Sequence, residues 1–520
     1  MKIGKIWRAY ARVWKLNCWH GTLLTFLVIL PITILGAFGI DGVVAVVVAG
    51  MIVWGLSQWW PETSVAKHCP DLLGEDHSAS TVTEALAAPV GVWCGRFAGK
   101  NLFASVEDRA VVIGPPGTGK TAFLVAQLLH WAESSRPFVC LDIKPEIYGI
   151  VREALEARGY ELLTYNPTSR TGQRYNPLQD LDGPEAVGEL AAALVPADEA
   201  ENAVFNESAR DLLDGIISHL RAVKGRTPTL PDVRALVSGC DDHKTLLGIL
   251  FESPDADARD LAAGLSMVGR NERLMGSIFA TLRANLRFLR YPAVRESLEA
   301  SDFSLSVLTT GRPVGLFLQF EERHQETTAR LLAMLVGHLL RYLITHGQRP
   351  PVLLLLDEIG NAPPVPGLVQ KLNTIRSRQL PTWLYWQSLE QMQRYGQKAN
   401  EGPNVILGAC DFQAVFRLND NASAEWMSKR IGVVDRVVES TSVTYDDWIP
   451  TRSASESLVQ EPRIFPHELQ QLPGGVAVCT YRGLAWRGQA MPYFDLWPEY
   501  RGRRPAPGTE LGAGYPTLVM

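Results

Sequence analysis

Apolar residues crowd the start of the chain. Between Gly21 and Pro61 the only charged residue is Asp41, which separates two apolar runs, Gly21–Ile40 and Gly42–Trp60. Each has about the length that crosses ~30 Å of hydrocarbon as a helix. A helix bonds its own backbone groups, which lipid cannot do for it. The pattern predicts a two-helix transmembrane hairpin over residues 1–60. A signal peptide is the competing reading of the first run. Against it, the second run follows at once and no small-residue cleavage site lies between them. Lys2, Lys5, Arg8, Arg12 and Lys15 precede the first run. Positive charge stays inside, so the N-terminus and residues 62–520 are expected in the cytoplasm. Trp14, Trp19, Trp54, Trp59 and Trp60 stand near the ends of the runs, where indoles favour the membrane interface.

After a linker, residues 61–90, the pattern changes to short apolar runs alternating with helical stretches. The runs Ala110–Gly114, Phe138–Ile143, Glu161–Tyr165, Val314–Phe320, Val352–Leu356, Pro381–Trp386, Phe412–Leu418 and Gly475–Tyr481 read as buried strands. They predict an α/β fold, a doubly wound and mostly parallel sheet of the RecA type, supplied by residues 91–180 and 301–500. Residues 181–300 lose the strand pattern. Ala209, Leu212, Leu213, Ile216, Ile217, Leu220 and Val223 follow helical spacing, as do Leu274, Ile278, Leu282 and Leu286. An all-α domain inserted into the sheet is expected there. Arg283, Arg287 and Arg290 form a basic row on it, a pattern that more often marks a solvated face than a phosphate contact. The end, residues 501–520, reads as a mobile tail.

Composition narrows the partners only slightly. At 520 residues the chain is too long for one core, and a formal net charge of −5 excludes a chain-wide basic coat. The seven cysteines are scattered without a C-x-x-C pair, which argues against a disulfide framework or a zinc site.

The candidate chemistry lies at the ends of two strands. Gly114-Pro115-Pro116-Gly117-Thr118-Gly119-Lys120-Thr121 is G-x-x-x-x-G-K-T between a strand and an apolar helix. Glycines let backbone N–H groups curl round phosphates, and the helix N-terminus adds partial positive charge. Lys120 is expected on the β- and γ-phosphates of ATP, and Thr121 on Mg²⁺. Val352–Leu356 then delivers Asp357 and Glu358 to the edge of the sheet where ligands bind. Asp357 is assigned to the Mg²⁺ shell and Glu358 to polarising the attacking water. Together the two motifs point to ATP hydrolysis. Gln387 ends the next strand and is a candidate γ-phosphate sensor; a strand-end cap is its bland alternative. Arg376 lies between these strands, on a stretch expected to leave the sheet at the ligand edge. It is a candidate finger on a neighbour's ATP, with Arg378 and, less strongly, Arg109 as rivals.

Further segments carry a resemblance. Leu141-Asp142-Ile143-Lys144-Pro145-Glu146-Ile147-Tyr148 is similar to a D-x-K-G-E-x-Y segment, with Pro145 at the glycine. Arg174-Tyr175-Asn176-Pro177-Leu178, Asp302-Phe303-Ser304-Leu305 and Gln387-Ser388-Leu389-Glu390-Gln391 match further marks. With the nucleotide motifs they make the chain resemble, over nearly its whole length, the type IV coupling proteins, the TraG-like ATPases of conjugation and type IV secretion. The resemblance implies a homo-hexameric ring in the bacterial inner membrane. It also implies recruitment of a single-stranded DNA–relaxase complex, or of effector proteins, to the secretion channel. Many members carry a periplasmic segment between the two spans, and here the turn at Asp41 is short. Two alternatives remain open. A DNA translocase of the FtsK/HerA type shares the core, although the hairpin and the helical insertion fit it poorly. A nucleotide-gated membrane receptor or scaffold would not need Glu358.

Overall fold

The structure, a computed structural model, describes residues 79–500 except 197–202, 269–271, 322–323, 347–348, 397, 399–400 and 447–448. The expected membrane hairpin, most of the linker and the C-terminal tail lie outside the described residues.

Among the described residues, thirteen strands are numbered in chain order: β1 Gly91–Phe97, β2 Lys100–Ser105, β3 Arg109–Ile113, β4 Phe138–Asp142, β5 Glu161–Tyr165, β6 Val314–Gln319 and β7 Leu353–Leu356. Then follow β8 Thr382–Trp386, β9 Phe412–Val415, β10 Val433–Asp446, β11 Ile449–Pro462, β12 Val476–Tyr481 and β13 Leu484–Gln489. Eleven form one sheet in the order β2-β1-β13-β12-β9-β3-β8-β7-β4-β6-β5. From β9 to β5 every pairing is parallel. From β2 to β9 every pairing is antiparallel.

The parallel strands are apolar on both faces because both faces are covered. In β7, Leu354 and Leu356 enter one core and Leu353 and Leu355 the other. Each buried leucine contributes roughly 1.5–3 kcal/mol of transfer free energy. The second core is closed by helices Lys120–Ala132 and Ile147–Glu156. The first is closed by helices that include Gly183–Leu194, Gln325–Thr345 and Leu368–Ile375. Among the described residues, one helix is long and apolar enough to cross a membrane. It spans Glu326–Thr345, but 72% of its apolar window is buried inside the protein. It is a core helix of the sheet.

Between β5 and β6 the described residues form helices joined by loops and no strand. The stripe on helix Ala203–Val223 is buried from Ala209 to Leu220, whereas Val223, in its last turn, is 49% exposed. The two chain segments leading into and out of this region are zipped together. Asp302 accepts from the Arg174 backbone N–H (2.8 Å) and guanidinium (2.8 and 3.2 Å) and returns its own N–H to the Arg174 carbonyl (2.9 Å). The Asn176 N–H donates to Ser301 Oγ at 2.9 Å. Tyr175 stacks on Phe303, ring centroids 5.0 Å apart. Asp180 accepts from the Tyr175 hydroxyl, the Ser304 hydroxyl and the Leu305 N–H. The Y-N-P-L and D-F-S-L segments are thus the two sides of one neck.

Three features go beyond the sequence reading. β1, β2 and β13 extend the sheet with antiparallel strands. β10 and β11 form a separate two-stranded ribbon, paired from Val433↔Pro462 to Asp446↔Ile449. The turn Arg376–Arg378 also lies at the edge of the sheet opposite the one expected. Helix Leu368–Ile375 carries the chain back to the strands' N-terminal ends. There the Leu372 carbonyl accepts from Arg109, the first residue of β3, and the Gln379 carbonyl from Arg349, just before β7.

Candidate nucleotide site

The loop from Gly114 to Gly119 links β3 to helix Lys120–Ala132. Two of its residues have left-handed backbone, Gly117 (φ 78°) and Gly119 (φ 101°), which only glycine adopts freely. Gly114 faces a different constraint: a Cβ there would lie 2.8 Å from both Phe416 Cβ and Thr118 Oγ1. Pro115 and Pro116 fill the next two positions, and the Thr118 hydroxyl closes the turn on the Pro115 carbonyl at 2.8 Å. The Lys120 ammonium is buried and donates to the carbonyls of Gly114 and, at 3.1 Å, Pro115. Burial pulls its pKa down, against the charges of Asp357 and Glu358. Thr121, next on the helix, is half-buried.

β3 pairs with β8, and the Gly114 N–H donates to the Trp386 carbonyl at 3.1 Å. This bond sets Gln387 beside the phosphate loop. One strand further, β7 ends at Asp357 and Glu358. Asp357 is 8% exposed, and burial, with the charge of Glu358 added, pushes its carboxyl up to about 7. Its Oδ1 is buried without a hydrogen-bond partner. An anionic oxygen left unsatisfied in this way, together with the Thr121 hydroxyl, fits a hard divalent cation such as Mg²⁺.

Glu358 has left-handed backbone itself, φ 48° and ψ 35°, a conformation that costs a non-glycine residue about 1–3 kcal/mol. Two contacts hold its side chain: Asn361 Nδ2 donates to Oε2 at 2.8 Å, and Lys144 Nζ lies 3.7 Å from Oε1. Gln391 extends the network, accepting the Gln387 N–H at 3.0 Å and donating to Asn361 Oδ1 at 3.3 Å. Gly360 lies beneath it, where a Cβ would run into the Gln391 side chain. Asp142 at the end of β4 is buried and accepts from the N–H groups of Ile147 and Tyr148, fixing the loop that carries Lys144. Burial pushes its carboxyl up to about 8, with those two bonds opposing.

The structure therefore brings Gly114–Thr121, Asp357, Glu358 and Gln387 to one edge. It adds Lys144 and Gln391, which the sequence marked only through the resemblance and without a role, and Asn361, which carried no signal until the turn after β7 was folded. Arg376 and Arg378 are exposed at the opposite edge. Arg109 has other work. It is 8% exposed, ion-paired to Asp411 at 2.7 Å and bonded to Leu372, so its guanidinium is occupied within its own chain.

Known proteins share sequence and fold with this chain. A family model described as "Type IV secretory system Conjugative DNA transfer" matches residues 69–496. A conjugal transfer protein TraG of Escherichia coli is 24% identical over 464 residues, covering 81% of this chain and 71% of that protein. A TraG of Rhizobium radiobacter is 23% identical, covering 72% and 60%. Among solved structures, the bacterial conjugative coupling protein TrwBdeltaN70 superposes with a TM-score of 0.64 at 17% identity, covering 79% of this chain and 91% of that one. Plasmid coupling protein TrwB in complex with ADP and Mg²⁺ gives 0.63 at 18%, covering 80% and 92%. At that identity the likeness speaks for the fold, an α/β RecA-like nucleotide-binding core.

Proposed function

Since the chain belongs to the type IV secretory system family of conjugative DNA transfer proteins and is a coupling protein of that process, we propose that it hydrolyses ATP to drive transfer. The observation that carries this reading is Glu358, in left-handed backbone at the strand end beside the Gly114–Thr121 loop, with its side chain held by Asn361 and Lys144. A protein that only bound nucleotide would have no use for a carboxylate fixed there. This also speaks against the receptor or scaffold reading. The family match over residues 69–496 favours a coupling protein over an FtsK/HerA-type translocase.

In the proposed reaction the loop N–H groups and Lys120 bind the β- and γ-phosphates. Lys120 exchanges its bonds to the Gly114 and Pro115 carbonyls for bonds to phosphate oxygens. Thr121 and Asp357 would hold Mg²⁺, which supplies charge neutralisation on the phosphate oxygens. Glu358 accepts a proton from water as its oxygen attacks the γ-phosphorus. The bond to the β,γ-bridging oxygen breaks, and ADP and phosphate leave. Gln387, joined to Glu358 through Gln391 and Asn361, is placed to report the γ-phosphate to the neighbouring strand.

The wider reading has four parts. Residues 1–60 anchor the chain in a bacterial inner membrane, supported by the two apolar runs and the lysines and arginines before them. Six copies form a ring, in which Arg376 acts on a neighbour's ATP. Its place at the far edge from its own phosphate loop supports action in trans over action in cis. The helical region, within residues 181–300, receives cargo. That cargo is a single-stranded DNA–relaxase complex or effector proteins, delivered to the secretion channel.

Turnover by the purified full-length chain tests the reaction. Lys120→Ala and Glu358→Gln are expected to abolish it, with Glu358→Gln still binding ATP because Lys120, Thr121 and the loop amides remain. Near-normal turnover in Glu358→Gln would exclude the role assigned to this residue.

A further inference from the structure

The helical region holds a cavity of about 360 Å³ lined by four arginines: Arg234, Arg283, Arg287 and Arg290. They come from three elements. Arg234 stands on helix Leu230–Gly239, Arg283 on helix Glu272–Asn285, and Arg287 and Arg290 on the 3₁₀ turn that follows. Four like charges gathered on one small surface repel one another unless something neutralises them. Nothing within the described residues does so. No carboxylate lines the cavity. Arg283 lies over the ring of Phe279 (5.5 Å), a contact that leaves its charge in place. Nη1 of Arg234 is shut off from solvent and has no hydrogen-bond partner, which is costly for a guanidinium. Burial and the nearby charges of Arg290, Arg295 and Arg283 all pull the pKa of Arg234 down. Arg295 differs from the four in having a carboxylate of its own, Glu299 at 3.5 Å.

A second cavity, about 400 Å³, shares Ala284 and Arg287 with the first. Tyr291 lines it and is 51% exposed, whereas most large rings among the described residues are buried. Asn285, Glu326, Thr327 and Arg330 complete its polar lining. Guanidinium forks match phosphate oxygens two at a time. An exposed ring beside them offers a flat apolar surface of the kind on which an unpaired base stacks. An acidic peptide would use the arginines but has no need of the ring.

We propose that these adjoining cavities are a binding site for single-stranded nucleic acid, with phosphodiester groups in the four-arginine cavity and a base on Tyr291. The proposal rests on the reading of the helical region as the part that receives cargo, and it gives that region a ligand chemistry and residues. Arg287 and Arg290 are exposed, so replacing them leaves the core untouched.

The test measures the affinity of the full-length chain in detergent for a labelled oligothymidylate over a range of salt concentrations, with ATP turnover recorded for every variant. Each phosphate contact contributes about 0.7 to the slope of log affinity against log salt for single strands. The double change Arg287→Ala, Arg290→Ala is expected to weaken binding and flatten that slope by roughly 1.4. Tyr291→Ala should weaken binding about tenfold and leave the slope alone, and Tyr291→Phe should bind as wild type does. Basal turnover should be unchanged in all three. Wild-type affinity and slope in the double variant, with normal turnover, would overturn the site and leave the coupling reading standing. Displacement of the oligonucleotide by oligoglutamate at equal phosphate and carboxylate concentrations would overturn it too, in favour of an acidic protein. Absence of turnover in the wild type would instead count against the coupling reading.

Discussion

Glu358 shows why the site was only partly legible from residues in order. The phosphate loop is contiguous, and each of its glycines answers a local demand, so Gly114–Thr121 could be read directly. Asp357 and Glu358 follow a run of apolar residues and were equally visible. Asn361 was not, and Gln391 stood only as a mark of the resemblance, with no role assigned. They meet only after the turn behind β7 and the turn behind β8 have both folded, 30 residues apart in sequence. Its bond to Glu358 makes Asn361 a positioning residue in the proposed reaction. Asn361→Ala should lower kcat roughly 10–100-fold, within the range seen when a general base is misplaced. KM for ATP should stay near wild type, since the loop and Lys120 are intact. A rise in KM with unchanged kcat would move Asn361 from positioning to binding.

At the scale of elements, the strands that could be read were those buried on both faces, with half-buried β5 at the far end of the sheet the exception. β3 through β9 and β12 gave apolar runs, and the parallel order follows from the helices between them. β1, β2 and β13 carry mixed, partly exposed patterns, such as the alternation in β2, and sit toward the edge of the sheet. The ribbon β10–β11 is rich in serine and threonine, so apolar periodicity had little to report. The placement of Arg376 failed for another reason. Residue order gives the helix after β7, but its direction must be followed to learn at which edge it ends. Helix Lys120–Ala132 carries a prediction of its own. His130 near its end stacks on Trp93 (5.1 Å) and meets Trp497 edge-on (4.9 Å), and burial lowers its pKa to about 4. The charged group nearest to it is Glu133, 3.9 Å away and largely exposed. The unfolded chain protonates this histidine near its ordinary ~6.5. Between that value and about 4 the unfolded state holds more protons, so stability falls as pH drops through the window and levels off below it. The slope from this residue is at most about 1.4 kcal/mol per pH unit. Denaturant unfolding of wild type and His130→Phe should show a shallower pH dependence for the variant over this window. Equal slopes would mean that His130 takes up no proton differently on folding.

Across the whole molecule, one chain brings the proposed phosphate-binding and water-polarising groups to one edge but keeps Arg376 at the far edge. A ring in which each copy completes its neighbour's site resolves this. An arginine supplied in trans is worth roughly 10³–10⁵ in rate in well-studied nucleotide hydrolases. Arg376→Ala should keep ATP binding and ring formation and lose turnover. Mixed with Glu358→Gln subunits, it should regain some activity, because some interfaces then combine an intact Glu358 with an intact Arg376. Mixtures as inactive as their parents, while subunits demonstrably exchange, would remove Arg376 from that role.

The central claim is that hydrolysis at Glu358 drives conjugative transfer. The most direct measurement is the transfer frequency from donor cells in which Glu358→Gln replaces the wild-type chain at equal abundance, with the rest of the transfer system unchanged. The variant keeps the fold and the phosphate contacts and lacks only the proton acceptor. The account predicts a fall of roughly 10²–10⁴ in transfer, matching the loss expected in turnover. Transfer at the wild-type frequency would contradict it.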